Sequence, residues 1–228
     1  RTFMNTYLDG EGGVFMEKSY TKIYTTGATV PLKIRPGHFA TNHAHINYYI
    51  DVTTLKARTK EAEEVAQALV GMYLYDTVID TIVCMEGTEV IGAFLAEELA
   101  KGGFLSTNAH KSIYVISPEF NNNSQIIFRD NLIPMIRDKH VMILMASVTT
   151  GRTLNKAVES IQYYGGILQG ASAIFSAMDS LDGVPIKSVF GKKDLPDYTY
   201  SDYRDCPLCK AGKKIDALVN TFGYSPMG

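Results

Sequence analysis

The sequence has few cysteines, almost no net charge and no long apolar run. Three cysteines in 228 residues, with Cys84 inside an apolar segment, do not form a disulfide framework. A formal charge of −2 gives no electrostatic footprint for nucleic acid. No apolar run approaches the roughly 20 residues of a membrane span, and the opening RTFMNTYLDGEGG lacks the apolar core of a signal peptide. We therefore expect a cytoplasmic protein that binds neither nucleic acid nor a membrane.

Apolar strands alternate with amphipathic helices from residue 59 onward. A helix is predicted over Thr59–Met72, because Val65, Ala68, Leu69 and Met72 recur at i, i+3, i+4 and i+7. The other predicted elements are strands at 80–85, 112–116, 125–128, 141–146, 168–175 and 184–190, and helices at 90–101 and 154–164.

The predicted strands are continuous apolar runs, as is typical of a parallel sheet covered on both faces. We therefore predict an α/β fold whose parallel sheet of about five strands is flanked by helices. Ligands of such sheets lie beyond the carboxyl ends of the strands. Residues 86–88, the turn-rich loop 117–124 and residues 147–153 should gather at that edge.

The stretch His140–Thr153, HVMILMASVTTGRT, predicts a buried strand, a turn with hydroxyl side chains and glycine, and a helix start. Gly151 lets the backbone approach an anion, while threonine hydroxyls and first-turn N–H groups donate to it. A plain strand-to-helix connection with threonine as N-cap is the alternative. The residues assigned to this anion cradle are Ser147, Val148, Thr149, Thr150, Gly151, Arg152 and Thr153.

Two short motifs contain residue types that bind metals. His43-x-His45 has chelating spacing on a strand, where i and i+2 share a face, but no third ligand follows at an obvious spacing. Cys206-Pro-Leu-Cys209 is half of a zinc site without an evident second pair. A redox pair or two free surface thiols are its alternatives. We therefore assign no metal ligand from the sequence.

The order of elements and these motifs resemble the type I phosphoribosyltransferases, and within them the orotate phosphoribosyltransferases, from about Arg35 to Gly212. The family follows an apolar strand with two acidic residues, two variable residues and a Thr/Ser-Thr-Gly-x-Thr/Ser loop, which residues 149–153 match. Residues 37–51 are similar to the family's N-terminal hood, and CPLCKAGKKI is similar to the tails of some orotate-type members. The implied segments are an extension and hood at 1–58, an α/β core at 59–192 and a tail at 193–228.

The resemblance implies a Mg²⁺-dependent transfer of a phosphoribosyl group from phosphoribosyl pyrophosphate (PRPP) to a base nitrogen, in a homodimer. The 5′-phosphate would lie in the Thr149–Thr153 loop. The other assigned residues are Glu86, Gly87 and Thr88 for the pyrophosphate loop, and Tyr48, Tyr49 and Asp179 for the base pocket.

Several functional positions depart from the family pattern. Met145 and Ala146 stand where an acidic pair would hold the ribose hydroxyls. No lysine or arginine lies between Lys111 and Arg129, where a mobile loop would neutralise the leaving pyrophosphate. Ser180 stands where orotate enzymes usually carry an arginine. The scaffold and the phosphate cradle therefore persist without most of the groups that do chemistry.

We expect a protein that binds PRPP or a nucleotide monophosphate at the cradle, with weak or lost transferase activity. An active transferase of the phosphoribosyl group is the alternative, with Mg²⁺ as its cofactor. A structural or assembly role, with a vestigial cradle, is a further alternative. No catalytic residue is assigned, and an active enzyme would need replacement groups. The candidates are Glu86, Glu89, Arg129, Arg152 and Asp179.

Overall fold

The computed structural model describes residues 20–101, 106–109, 111–220 and 223–227, so residues 1–19 of the predicted extension lie outside it. Its strands are β1 (Thr21–Ile23), β2 (Leu32–Ala40), β3 (His45–Asp51), β4 (Thr81–Cys84), β5 (Tyr114–Ile116), β6 (Glu119–Phe120), β7 (Ile126–Ile127), β8 (His140–Val148), β9 (Ile167–Ser176), β10 (Ser180–Leu181), β11 (Val184–Gly191), β12 (Tyr200–Ser201), β13 (Ala217–Asn220) and β14 (Gly223–Pro226). Its helices are α1 (Thr53–Ala57), α2 (Thr59–Val70), α3 (Glu89–Lys101), α4 (Arg152–Tyr163) and α5 (Pro207–Lys210), with a 3-10 turn at Ile133–Met135.

The core sheet has six strands in the order β10-β11-β9-β8-β4-β5. The pairs from β11 to β5 are all parallel, and only the short edge strand β10 is antiparallel. The predicted α/β class is therefore confirmed, although the sheet is not purely parallel.

Strand β8 shows why the core strands are continuous apolar runs. Val141, Ile143 and Met145 pack with α4 on one face of the sheet, whereas Met142 and Leu144 pack with α2 and α3 on the other. All five side chains are 1% exposed or less. Burial of each such side chain contributes about 1.5–3 kcal/mol, and both faces of the strand therefore favour apolar residues.

The helices pack through the stripes that their spacing predicts. Helix α2 buries Val65 and Leu69, but it ends at Val70, so Met72 lies beyond it and is 38% exposed. Helix α4 starts after Gly151 and buries four apolar residues, Leu154, Ala157, Val158 and Ile161. No helix in the described part of the chain is long and apolar enough to cross a membrane.

The second six-stranded sheet forms the hood, in the order β12-β3-β2-β13-β14, with β1 also paired to β2. Strand β13 runs parallel to β2, so strands from the end of the chain complete a sheet begun near residue 21. A register shift between Pro36 and Phe39 bulges β2. The segment boundaries at 58 and 192 stay predictions, and this sheet joins chain from both sides of them.

Residues 117–128 form a small antiparallel hairpin beside the core sheet. Strand β6 pairs with β7, and the Asn121 side-chain oxygen accepts the N–H groups of Asn123 and Gln125. The interpretation of 117–124 as an irregular loop is therefore wrong at β6. The strand predicted at 125–128 exists as β7, but it is not a strand of the core sheet.

Candidate functional site

A cleft of about 210 Å³ lies between the carboxyl edge of the core sheet and the hood. Its walls come from the hood, including strands β13 and β14, and from the loop after β4, the end of β8 and the start of α4. The residues that line it are Thr41, Asn42, His43, Tyr49, Ile50, Val52, Thr53, Lys56, Glu86, Met145, Ala146, Ser147, Val148, Thr149, Thr150, Gly151, Arg152, Thr153, Leu154, Val219, Asn220 and Gly223.

The first turn of α4 opens onto this cleft. Gly151 is its N-cap, with φ 76° and ψ −4°, and no side chain caps the helix. The threonine N-cap considered as an alternative is therefore absent. The positive φ favours glycine here, and an added Cβ would also lie 2.9 Å from Leu181 Cδ2, so that side chain would have to shift. The helix end can receive an anion on its N–H groups.

Basic side chains lie near the same helix end. Arg152 and His43 both line the cleft. Burial lowers the pKa of His43, and the nearby charges of Arg152 and Lys156 lower it further. The electrostatic field at this end of the cleft therefore favours a negatively charged ligand.

A buried tyrosine, Tyr198, contacts the cradle at Thr149, and sequence analysis missed it. The hydroxyl of Thr149 lies 3.0 Å from that of Tyr198. Tyr198 is 3% exposed, its ring meets Phe175 edge-on at 5.0 Å, and burial raises its pKa to about 12. The contact joins residues 49 apart in sequence, so no local pattern indicates it.

Glu86 brings a carboxylate to the end of β8. Its Oε2 accepts the N–H groups of Ala146 at 3.2 Å and Ser147 at 3.3 Å. Burial raises the pKa of Glu86, although both N–H groups and the charge of Lys56 oppose that rise. Lys56 Nζ donates to the Glu86 carbonyl oxygen at 2.7 Å. A carboxylate from the neighbouring loop thus lies beside the positions at which the resemblance implies two acids.

Those two positions carry no oxygen on their side chains. Met145 is 1% exposed, and Ala146 is 5% exposed. Among the described residues that line the cleft, Glu86 alone has a carboxylate, and its Oε2 is already held by two backbone donors. Magnesium prefers one or two carboxylates together with water and phosphate oxygens. This donor set does not fit a magnesium ion held by an acidic pair.

The residues assigned to the pyrophosphate loop do not all face the cleft: Glu86 lines it, whereas Thr88 is buried. Glu86 adopts a positive φ of 60° and Gly87 one of 79°, which turns the chain sharply after β4. Thr88 is buried, and its hydroxyl lies 2.9 Å from the Met85 carbonyl oxygen and 3.0 Å from that of Leu144. Thr88 therefore ties the loop to β8 instead of facing the cleft.

The three residues assigned to the base pocket are not brought together. Tyr49 lines the cleft, and its ring centroid is 5.1 Å from that of Tyr224. Tyr48 is half-buried against the larger apolar cluster, which includes hood strands as well as α2 and α3, and it does not line the cleft. Asp179 is exposed, and its carbonyl accepts the N–H of Ile186.

The side chains considered as replacements for the missing catalytic groups are divided between the cleft and other parts of the surface. Glu86 and Arg152 lie on the cleft. Arg129 is paired with Glu119 at 2.6 Å on the surface of the hairpin, and Glu89 accepts the hydroxyl of Ser117 at 2.7 Å. Ser117 therefore contacts the start of α3, whereas the Ser124 carbonyl accepts Lys156 Nζ of α4, and no residue of 117–124 lines the cleft.

No protein-family model matches the chain, and no curated protein matches its sequence. Solved structures do match. A phosphoribosyltransferase from Corynebacterium diphtheriae is 15% identical over 72% of this chain and 90% of its own, with a TM-score of 0.51. The UMP synthase of Leishmania donovani is 18% identical over 72% of this chain and 34% of its own, also with a TM-score of 0.51. At these identities the likeness concerns architecture alone, and the chain has the type I phosphoribosyltransferase fold.

Proposed function

We propose that this protein binds a phosphorylated ribose, either PRPP or a nucleotide monophosphate, at Thr149–Thr153, and that its transferase activity is weak or lost. The observation that carries the proposal is the N-terminus of α4, which Gly151 caps without a side chain on the wall of a cleft. The 5′-phosphate accepts the N–H groups of this turn, and Arg152 adds charge. The ribose then faces the end of β8.

The argument against strong catalysis is one of magnitude. Removal of a single group that stabilises developing charge typically costs about 10²–10³ in rate. Here Met145 and Ala146 replace an acidic pair, and no lysine or arginine occurs between Lys111 and Arg129 to neutralise pyrophosphate. Losses at two independent charged sites leave little acceleration. Binding requires only the cradle, so we propose that it proceeds without Mg²⁺.

A second candidate function, an active phosphoribosyltransferase, is favoured by one observation. The Glu86 carboxylate lies at the backbone of Ala146 and Ser147, where it could take over the stabilisation of positive charge on the ribose. The nucleobase that either candidate function would involve stays open, and the homodimer stays a prediction.

Calorimetry with ribose 5-phosphate, a set of nucleotide monophosphates and PRPP, each with and without Mg²⁺, tests binding. Thr150→Ala combined with Gly151→Val should weaken binding at least about tenfold, since a hydrogen bond to a charged group is worth about 1.5–3 kcal/mol and tenfold corresponds to about 1.4 kcal/mol. The chain offers a matched control in Thr26→Ala with Gly27→Val. Gly27 has a φ of +89° and no atom within 4 Å of an added Cβ, so the backbone strain is similar, but neither Thr26 nor Gly27 lines the cleft.

The proposal fails if no phosphorylated ribose binds to the wild-type protein, or if the control pair weakens binding as much as the cradle pair. A radiolabel assay with PRPP, Mg²⁺ and a panel of bases separates the two candidates. Turnover that Glu86→Gln abolishes while binding persists would establish the transferase. Absence of turnover with retained binding supports the non-catalytic role.

A further inference from the structure

Four side chains of metal-binding type meet at the hood sheet, and none of them lines the cleft. They are His38, His45, Cys206 and Cys209, and their ligand atoms all lie within 4.8 Å of one another. His38 comes from the bulge of β2 and His45 from the start of β3. Cys206 is the N-cap of the short helix α5, and Cys209 lies within that helix. Three separate parts of the chain thus converge on one point.

Three nitrogen–sulfur separations among these atoms match the edges of a tetrahedron around zinc, and the two nitrogens lie slightly closer together than such an edge. His38 Nε2 is 3.0 Å from His45 Nδ1. Cys206 Sγ and Cys209 Sγ lie 3.5 Å and 3.7 Å from His38 Nε2, and Cys209 Sγ is 3.3 Å from His45 Nδ1. Zinc–nitrogen bonds of about 2.0 Å and zinc–sulfur bonds of about 2.3 Å, at tetrahedral angles, give edges of roughly 3.3–3.8 Å.

Backbone groups hold His38 in the orientation that a metal requires. His38 Nδ1 lies 2.8 Å from the carbonyl oxygen of Lys213, which can only accept a hydrogen bond. Nδ1 therefore carries the proton, and the lone pair of Nε2 faces the two sulfurs. The Asp216 carboxylate accepts the His38 backbone N–H at 2.7 Å. The close packing leaves little room at Gly37, where an added Cβ would lie 2.6 Å from the Phe39 ring and 2.8 Å from that carboxylate.

Backbone N–H groups also donate within the cysteine turn. The backbone N–H groups of Leu208 and Cys209 donate to the sulfur of Cys206, which is 2% exposed. The description of both cysteines as surface thiols is therefore wrong for Cys206. His45 lies with His38 and the cysteines, whereas its expected chelating partner His43 lines the cleft.

We propose that His38, His45, Cys206 and Cys209 bind one structural Zn²⁺ ion that fastens the C-terminal tail to the hood sheet. Four protein ligands fill the tetrahedron and leave no open position for a substrate, as in structural zinc sites. Two thiolates neutralise the charge of the ion, and a set of two sulfurs and two imidazoles selects zinc over magnesium or calcium.

Metal analysis of the untagged full chain tests the site directly. Elemental mass spectrometry after dialysis against Zn²⁺ and then zinc-free buffer should find about one zinc ion per chain. Cys206→Ser with Cys209→Ser, and separately His45→Asn, should lose it. Cys84→Ala is the matched control, because Cys84 is a buried thiol outside the cluster, and this variant should retain the ion.

A second measurement does not depend on how well the variants fold. Co²⁺ added to metal-free wild-type protein should give visible bands of a tetrahedral ion and a sulfur-to-cobalt charge-transfer band, and Zn²⁺ should displace both. Wild-type protein that retains no zinc and shows no such bands overturns the proposal. A native Cys206–Cys209 disulfide found by mass spectrometry also overturns it, in favour of a redox pair.

Discussion

At the amino-terminal end of the core sheet, the Asp80 side chain binds two residues from other parts of the chain, His140 and Lys111. Its Oδ2 accepts the backbone N–H of His140 at 2.9 Å and lies 2.7 Å from His140 Nδ1. Its Oδ1 accepts Lys111 Nζ at 3.0 Å. Burial raises the pKa of Asp80, but these donors outweigh burial and lower the pKa from 3.8 to about 2. The ionised carboxylate is thus more stable in the folded chain than in the unfolded one.

Replacement of Asp80 by asparagine should reduce the free energy of unfolding by roughly 2 kcal/mol at pH 7. Because the folded pKa is the depressed one, this stabilisation is present above about pH 4 and disappears as pH falls through about 2. Urea unfolding of both proteins at a series of pH values measures the difference, which should shrink steadily below pH 4.

Asp182→Asn is the control for this variant. Asp182 is exposed in the turn before β11, and surface changes of this kind alter stability by less than about 0.5 kcal/mol. A destabilisation by Asp80→Asn that stays constant from pH 7 to pH 3 would show that the carboxylate charge is not the cause.

At the residue scale, what the sequence could predict was local. Residues 147–153 all line the cleft, because an apolar run, a glycine turn and an amphipathic segment follow one another directly. The contact of Glu86 with Ala146 and Ser147 spans 60 residues or more. The meeting of His38 with Cys206 spans 168. Such contacts depend on how the sheets assemble, which no short motif encodes.

At the element scale, the core elements were predictable because burial on one side gives a helix an apolar period and burial on both sides makes a strand continuously apolar. The strands of the tail have no such signal. Strand β12 has only two residues, and in β13 a buried Ala217 is followed by Leu218, which is 49% exposed. Their places come from hydrogen bonds to β3 and β2, far away in the sequence. The hood sheet was therefore missed in part.

The segment after β11 supports the turn between β8 and α4, and Tyr198→Phe tests that support. The change keeps the ring against Phe175 and removes the hydrogen bond between Tyr198 and Thr149. We expect ribose 5-phosphate to bind about 3- to 10-fold more weakly, since one such bond contributes about 1 kcal/mol. Calorimetry measures the affinity, and thermal unfolding measures the accompanying loss of stability.

Tyr200→Phe is the comparison for this variant, because Tyr200 is the next tyrosine along the chain and is 42% exposed. It should leave the affinity unchanged. If the two variants behave alike, the Tyr198 hydroxyl does not position the cradle, and Thr149 holds its place through the backbone alone.

At the scale of the whole molecule, the hood sheet links the proposed zinc ion to the cleft. The cluster holds residues 206–209 against β2 and β3, and the chain then runs directly into β13. Val219, Asn220 and Gly223, from β13 and β14, line the cleft. Release of the tail at the metal would loosen a wall of the ligand site without any change in the α4 cradle.

Removal of zinc should therefore weaken both folding and ligand binding. An ion present at 100 times its dissociation constant stabilises a protein by about 2.7 kcal/mol, which for a chain of this size corresponds to a fall in Tm of roughly 5–10 °C on removal. Calorimetric affinity for the best-binding nucleotide monophosphate should fall in parallel.

Added Zn²⁺ should restore both the Tm and the nucleotide affinity, and Mg²⁺ should restore neither. A chelator that removes zinc from the wild-type protein should leave the Cys206→Ser, Cys209→Ser protein unaffected, which separates loss of the site from other effects of chelation. Unchanged nucleotide affinity with a lowered Tm would mean that the metal holds the tail in place but that β13 and β14 keep their positions at the cleft through the sheet hydrogen bonds alone.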